Sequence, residues 1–417
     1  MGADSTIEQV QAEVRSWAAE NWEPDLPLAD WWKRMAAAGY SSPMLPTALG
    51  GRDYPRDLAI AVNAALARAG VVGPPFGLGL MLAAPTIAAH GTPAQQGDFL
   101  PRILDGTDAW CQLFSEPGAG SDLAGLQTKA VRDGDEWIVS GQKVWTSGGQ
   151  HADWGMLLAR TNVDVPKHQG ITYFAIHMHQ PGVEVRPLRE MTGRAMFNEV
   201  FLDEARVSNA NVIGGLNNGW AVANTTLMVE RASIGSGGNS GLAVALPGSI
   251  AGNLAKPAGS FIDPKGPQAA GGAVSAATVS GLVALARSLG KSGDPVVRQG
   301  LAELHTLVEL NRFNIQRARS GQGRTGGEGN LAKLLLTHTL RRTREIGNHI
   351  IGADGMLWGR SAASGGAIQE LTVFSPGPAI YGGTDQIQRN IVGERVLGLP
   401  KEPGNEKTTP FSELLKN

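Results

Sequence analysis

Along the first hundred residues the apolar positions recur at helical steps: Ile7, Val10, Val14 and Trp17 fall three and four apart, and Pro43, Pro46, Gly50 and Gly51 interrupt the run. The stretch from Ile7 to Leu104 is therefore predicted to be all-α. Between about Ala109 and Asn211 the pattern shortens to strand-like runs, as in Trp137-Ile138-Val139, Met156-Leu157-Leu158 and Ile171-Thr172-Tyr173-Phe174-Ala175-Ile176, with glycine or polar turns between them. From Trp220 onward helical spacing returns, with Val297, Leu301, Leu304 and Val308 on one face and Leu331, Leu334 and Leu335 opening another. The pattern divides the chain into residues 1–108, helical; 109–211, β; and 212–417, helical again.

One stretch breaks this order. From Gly237 to Ser275 the composition is dominated by Gly, Ala, Pro and Ser, and Pro247, Pro257, Pro264 and Pro267 exclude a continuous helix. It is read as an insertion at about 237–275. A flexible surface loop is the expectation, and a lid over a substrate mouth is the alternative. No internal repeat is present.

At 417 residues the chain exceeds what a single core organises. Lys+Arg at 36 against Asp+Glu at 38 gives a formal net charge of -2, without the basic excess that nucleic acid requires. A lone cysteine, Cys111, forms no internal disulfide, and the N-terminal residues show no leader pattern, so a cytoplasmic protein is expected. The longest apolar stretch, Gly77 to Ala89, is interrupted by Pro85 and falls short of the roughly 20 residues of a membrane span.

Two segments carry candidate chemistry. Phe114-Ser115-Glu116-Pro117-Gly118-Ala119-Gly120-Ser121-Asp122 lies where a strand gives way to a glycine-rich turn, whose backbone N–H groups and serine hydroxyls suit a ligand bearing carbonyls, ring nitrogens and phosphates. By residue type alone an ordinary Pro-Gly turn fits it as well. Gly141-Gln142-Lys143-Val144-Trp145-Thr146-Ser147-Gly148-Gly149 sets a flat indole beside small hydroxyl residues, which suits packing on a planar heteroaromatic ring. Together the two resemble the flavin-binding signatures of the acyl-CoA dehydrogenase family. The likeness continues through Leu45-Pro46 with Gly50-Gly51, Met191-Thr192-Gly193, Gly219-Trp220, Glu230-Arg231 and Tyr381-Gly382-Gly383-Thr384-Asp385-Gln386-Ile387-Gln388-Arg389.

The resemblance implies an α+β fold: an N-terminal α-helical domain, a middle β-barrel-like domain and a C-terminal four-helix-bundle domain. It implies FAD, with Phe114 and Ser115 on the pyrimidine side of the isoalloxazine, Gly120 and Ser121 near the ribityl chain and pyrophosphate, and Trp145 and Ser147 flanking the dimethylbenzene edge and N5. Thr384 and Gln386 resemble residues that reach the adenine half across a subunit interface. That implies a homodimer or homotetramer, or a heterotetramer with a paralogue. Two positions depart from the family pattern. Where Arg-x-x-Phe-Gly is usual the chain has Arg287-Ser288-Leu289-Gly290-Lys291, and a stretch that often holds Gln and paired glycines reads His349-Ile350-Ile351-Gly352-Ala353-Asp354-Gly355.

The implied reaction turns an acyl-CoA into its trans-2-enoyl-CoA, by loss of an α-proton to a carboxylate and of the β-hydrogen as hydride to flavin N5, with an electron-transfer flavoprotein as outlet. Many relatives place the base directly after the late tyrosine, but Tyr381 is followed here by Gly382, which cannot take a proton. A minority, including isovaleryl- and long-chain-type enzymes, carry it in a Glu-Arg pair on an earlier helix, matched by Glu230-Arg231. Glu230 is therefore the candidate base, and Arg231 with Ser121 the candidate acyl-CoA contacts. The alternatives are a non-catalytic partner subunit, or an oxidase or monooxygenase on the same fold. The acyl group, from fatty to steroid, is not specified. His177-Met178-His179 lacks a third ligand and reads as strand surface, Cys111 as a packing residue, and Arg341-Arg342-Thr343-Arg344 as a solvated helix face.

Overall fold

The computed structural model describes residues 6–234, 242–262, 276–320, 325–359, 362–404 and 406–414. The first helix begins at a reciprocal cap: the Thr6 hydroxyl accepts the Gln9 N–H at 3.3 Å, and the Gln9 side chain accepts the Thr6 N–H at 2.8 Å. The helical spacing of α1 (Ile7–Asn21) then buries Val10, Val14 and Ala18 against α2 (Leu28–Ala37) and α3 (Arg56–Ala69). In that core Trp31 and Trp32 are fully buried and donate their indole N–H groups to the Val72 and Gly73 carbonyls, each at 2.9 Å. A π-helical turn at Gly79–Ala83 leads into α4 (Ala84–His90), and a Thr92-Gln95 cap begins α5 (Pro93–Leu104). Gln95 also donates to the Ala210 and Val212 carbonyls at 2.7 and 2.9 Å, so the cap ties helices to sheet.

The middle segment is one curled sheet of β1 (Trp110–Leu113), β2 (Lys129–Asp133), β3 (Glu136–Ser147), β4 (Trp154–Arg160), β5 (Ile171–His177), β6 (Val183–Leu188), β7 (Phe197–Ser208) and β8 (Val212–Ile213). The strand order is β6-β7-β3-β2-β4-β5-β8, with β1 parallel to β4. Leu157, Phe174 and Ile176 turn into the curl, while Met156, Leu158, Tyr173 and Ala175 face the helices. Burial on both faces is why β4 and β5 read as unbroken apolar runs rather than alternating ones.

The C-terminal helices are α6 (Gly219–Ile234), α7 (Ala276–Ser288), α8 (Pro295–Ser320), α9 (Glu328–Ile351), α10 (Ala367–Phe374) and α11 (Asp385–Ile391). Val297 and Leu304 of α8 are buried against Leu282 and Ala286 of α7 and Ile346 and Ile350 of α9, as the spacing predicts. On α9 the expectation needs correction. Leu331, Leu334 and Leu335 are only half-buried, and in the first half of the helix Asn330, Lys333 and Thr337 are buried beside Ala332 and Leu340, with α11 bringing Asp385 and Gln388 to the polar ones: Lys333 Nζ lies 3.2 Å from Asp385, and Asn330 donates to Gln388 at 2.6 Å. Among the described residues no helix is long and apolar enough to cross a membrane.

The insertion also differs from the expected flexible loop over its described part, 242–262. The Ala243 carbonyl accepts the Gly73 N–H at 2.9 Å; the Lys256 and Leu254 carbonyls accept the N–H groups of Leu28 and Ala29 at 2.9 and 3.0 Å; and Ala258 and Gly259 donate to Leu26 and Pro24, each at 2.8 Å. Ala245 and Ala258 enter the core around Trp31. Gly248 donates to the Gly106 carbonyl at 2.9 Å, and the Ser249 hydroxyl bonds Asp153, which also accepts the Ala109 N–H at 2.8 Å. Small residues and prolines here permit close backbone approach, so the segment is a strap fastened to helices and sheet. Amide hydrogen exchange is expected to find Gly248, Ala258 and Gly259 protected at a level close to the neighbouring helices. Exchange at free-loop rates there would contradict the strap. The remainder of 237–275 lies outside the described residues.

Candidate active site

The turn that follows β1 is held from below by buried charge. Lys143 of β3, with no exposed surface, donates to the Glu116 carboxylate at 2.8 Å and to the Phe114 carbonyl at 3.1 Å. Glu116 also accepts the N–H groups of Gln127 and Thr128 at 2.7 and 2.9 Å. Burial pushes the Glu116 carboxyl up, but Lys143 and these donors more than offset it and leave it below the usual carboxylate range. Glu116 and Ala119 exchange backbone bonds at 3.0 Å, closing the turn around Pro117-Gly118. Phe114 is buried edge-on to Tyr173, whereas Gly120 and Ser121 are exposed, and a side chain built on Gly120 would meet nothing within 4 Å. Asp122, next in the chain, receives Lys167 at 2.9 Å; Lys167 also reaches Glu406 at 2.6 Å, in a tail whose Phe411 lies beneath the Arg160 guanidinium.

β3 brings the second segment alongside. Val144 donates its N–H to the Ser115 carbonyl at 2.9 Å, which seats Trp145 one residue from the turn. Pairing of β3 with β7 shifts register between Lys143 and Thr146, and at this bulge Trp145 adopts φ 62°. A left-handed conformation in a bulky residue costs about 1–3 kcal/mol and persists where surroundings enforce it. Here it turns the indole outward, 57 % exposed and supported edge-on by Phe197 at 5.9 Å. Ser147 is half-buried at the strand end, before left-handed Gly148, where a side chain would again meet nothing within 4 Å. An open glycine turn with free backbone donors, set against an exposed flat indole, fits a flavin.

Glu230 lies three-quarters along α6. Burial pushes its carboxyl above the usual range, and a hydrogen bond from the Gln112 side chain with the charge of Arg231 pulls it partly back. Glu230 is half-buried, and its neighbours Leu227 and Val229 pack on the same core as Phe114, at the start of the turn. Sequence reading missed Gln112, Glu116 and Lys143 as site residues. The period of two along Trp110-Cys111-Gln112-Leu113-Phe114 was the available signal, since it separates Cys111 and Leu113 from the other three. Cys111 is fully buried within the sheet, its thiol pushed up to about 12 by desolvation, which suits packing rather than reactivity.

The late motif stands apart in this chain. Gly382 and Gly383 take φ 63° and 82°, Gln388 donates to the Gly382 carbonyl at 2.8 Å, and the Thr384 hydroxyl caps α11 by accepting the Ile387 N–H at 3.2 Å. A glutamate at 382 would face the left-handed penalty as well as lacking its place in the sequence. Gln386 is exposed. Among the described residues no hydrogen bond or ion pair joins Thr384 or Gln386 to the two flavin-like segments. Arg287 is exposed on the last turn of α7, and His349 lies 3.8 Å from Asp294. The basic run on α9 is engaged by acids: Arg341 with Asp385, Arg342 with Glu303 and Glu345, and Arg344 with Glu345.

Family models for the acyl-CoA dehydrogenase N-terminal, middle and C-terminal domains match residues 1–107, 111–205 and 268–397. Acyl-CoA dehydrogenase IpdE1 of Mycobacterium tuberculosis is 36% identical over 414 residues, which is 95% of this chain and 98% of that protein. The chain belongs to the acyl-CoA dehydrogenase family. Its relatives are oxidoreductases, and the family's members are flavoproteins. The isovaleryl-CoA dehydrogenase of Pongo abelii is 30% identical over half of this chain and 51% of its own length. Among solved structures, the Tcur3481-Tcur3483 steroid ACAD superposes with a TM-score of 0.71 at 25% identity, covering 95% of this chain and 98% of that one. The ChsE4-ChsE5 complex from Mycobacterium tuberculosis gives 0.69 at 28%, covering 96% and 100%.

Proposed function

We propose that this chain oxidises an acyl-CoA thioester to the trans-2-enoyl-CoA, with Glu230 as the base that takes the α-proton. The observation that carries this reading is a half-buried carboxylate of raised proton affinity on α6, whose Leu227 and Val229 pack on the core that also holds Phe114 of the flavin-like turn. An aliphatic α-proton is a weak acid, so a carboxylate made more basic by desolvation is matched to removing it. FAD, held by Phe114, Ser115, Gly120, Ser121, Trp145 and Ser147, with Thr384 and Gln386 on its adenine half from a neighbouring subunit, supplies the acceptor for the β-hydride. Ser121 and Arg231 meet the acyl-CoA. Arg231 is half-buried next to Glu230, and its guanidinium suits an anionic group of the ligand. The half-buried leucines of α9 and the exposed Leu310, Phe313, Leu397 and Leu399 support an oligomer that covers them. An electron-transfer flavoprotein is the proposed outlet.

Purified protein is expected to be yellow, and its flavin to bleach anaerobically with members of an acyl-CoA panel. A protein that stays colourless after incubation with FAD and shows no substrate response sinks the reading. Peroxide release on substrate addition would instead mark an oxidase. A second reading, a partner subunit of a heteromeric dehydrogenase, draws on Gly382 and on the two-component ChsE4-ChsE5 complex among the structural relatives. Co-purification with a paralogue, and activity of that complex indifferent to Glu230→Gln, favours it.

A further inference from the structure

Gly120 and Ser121 are exposed, and among the described residues no hydrogen bond holds either of them, so their place is set from the two ends of the turn. Glu116 and Lys143 fix the entry. The exit is Asp122, whose carboxylate meets the ammonium of buried Lys167 at 2.9 Å, and Lys167 is shared with Glu406 of the C-terminal tail at 2.6 Å. We infer that Lys167, held in place by that tail, is a positioning residue for Ser121: by fixing Asp122 it sets where the adjacent hydroxyl stands for the acyl-CoA. The inference rests on the reading of this turn as the FAD and acyl-CoA site.

Lys167 lies on the loop from β4 to β5, which closes on itself where Thr161 and Asn162 donate to the Gly170 carbonyl at 2.9 and 3.2 Å. The tail docks along this loop. Phe411 and Ser412 donate their N–H groups to the Val165 and Val163 carbonyls, each at 2.9 Å, and Pro410 pairs with Pro166. Proline has no N–H to give, so the pairing stays a short clip. The buried Phe411 ring lies 3.7 Å from the Arg160 guanidinium, which donates to the Lys167 carbonyl at 2.5 Å and to the Ala124 and Leu126 carbonyls at 2.6 and 3.2 Å. Arg160 thus joins the backbone of Lys167 to the stretch that leaves the turn, where the Asp122 carbonyl accepts the Gly125 N–H at 2.9 Å. Both carboxylates are about half exposed, at 50% and 56%, so water screens them and the pairing adds little stability. What it fixes is geometry and charge. A ligand bearing phosphates that meets Ser121 also meets the Asp122 carboxylate beside it, and Lys167 cancels that repulsion. Lys167 touches neither substrate nor flavin in this account and acts through Asp122.

The test titrates anaerobic flavin reduction with a responding acyl-CoA in the FAD-loaded wild type, Lys167→Met, Lys167→Arg and Phe411→Ala, and follows amide exchange at Gly125 and Leu126 in the same proteins. Lys167→Met and Phe411→Ala are expected to raise the half-saturating acyl-CoA concentration about 5-fold and to leave the limiting rate within about twofold, because the binding lost is common to substrate and transition state. Exchange at the two amides should quicken. Lys167→Arg keeps the charge and should restore most of the affinity. Glu406→Gln, a milder change at the surface, serves where the other variants do not fold, and must raise half-saturation by about twofold. A folded, yellow Lys167→Met with wild-type half-saturation and exchange overturns the inference, and so does a lowered melting temperature as its sole change. If no acyl-CoA bleaches the wild-type flavin, it is the functional reading that fails, and exchange at Gly125 and Leu126 still decides whether Lys167 holds the turn.

Discussion

Glu230→Gln is expected to slow acyl-CoA-dependent flavin reduction by about 10²–10⁴-fold, the usual contribution of a positioned general base. Flavin content should hold, because the residues assigned to FAD lie on the turn after β1, on β3 and at the start of α11, and none lies on α6. Stability should move the other way. Burial raises the Glu230 carboxyl above its unfolded value, so the folded state holds the proton more tightly than the unfolded chain. Such a group lowers stability progressively as pH rises from about 4.3, the unfolded pKa of glutamate, toward its folded value. Glutamine does not ionise. The variant is therefore expected to melt at a higher temperature than wild type at neutral pH, with that advantage vanishing in acid. Thermal melts across pH and single-turnover flavin reduction check the two halves separately, and an unaltered reduction rate removes Glu230 from the reaction.

Lys143→Met is the substitution expected to cost most in stability. It leaves the Glu116 carboxylate buried without its cation, a defect worth about 3–5 kcal/mol. Because Lys143 also holds the Phe114 carbonyl, the turn should loosen and release flavin more readily. Pairing it with Glu116→Gln is expected to recover much of the loss, since the remaining carboxamide needs no counter-charge. Comparing the melting temperatures and flavin retention of the single and double variants decides it. A single variant as stable as wild type would show that the pair does not hold the turn.

Much of this architecture is legible in the order of residues. The change from three- and four-residue spacing to strand-like runs and back marks helices, sheet and helices, and the Thr-Gln caps at Thr6 and Thr92 add start signals of known chemistry. Both flavin-like segments and the Glu-Arg pair stand out because each needs particular residue types at fixed local spacing. The strap was misread because glycine, alanine and proline in number describe a chain that is short of helix, and that is equally true of a loose loop and of a segment fastened closely by its backbone. On α9 the leucines drew the eye to the wrong face. In the first half of α9 the inward side includes Asn330 and Lys333, as Asp385 and Gln388 approach them from some fifty residues further along the chain.

By itself the sequence determined the period of each segment, the turn that can expose backbone donors, and the absence of a side chain at 382. These are local properties, fixed by dihedral preference and side-chain type within a few residues. Tertiary structure alone decided that Glu230 lies half-buried on α6, that Lys143 and Glu116 lie buried beneath the turn, and that Trp145 is turned outward at a bulge. Each of these depends on where two distant stretches come to rest, and it is desolvation at those meetings, which no spacing encodes, that gives the charges their strength and the base its proton affinity.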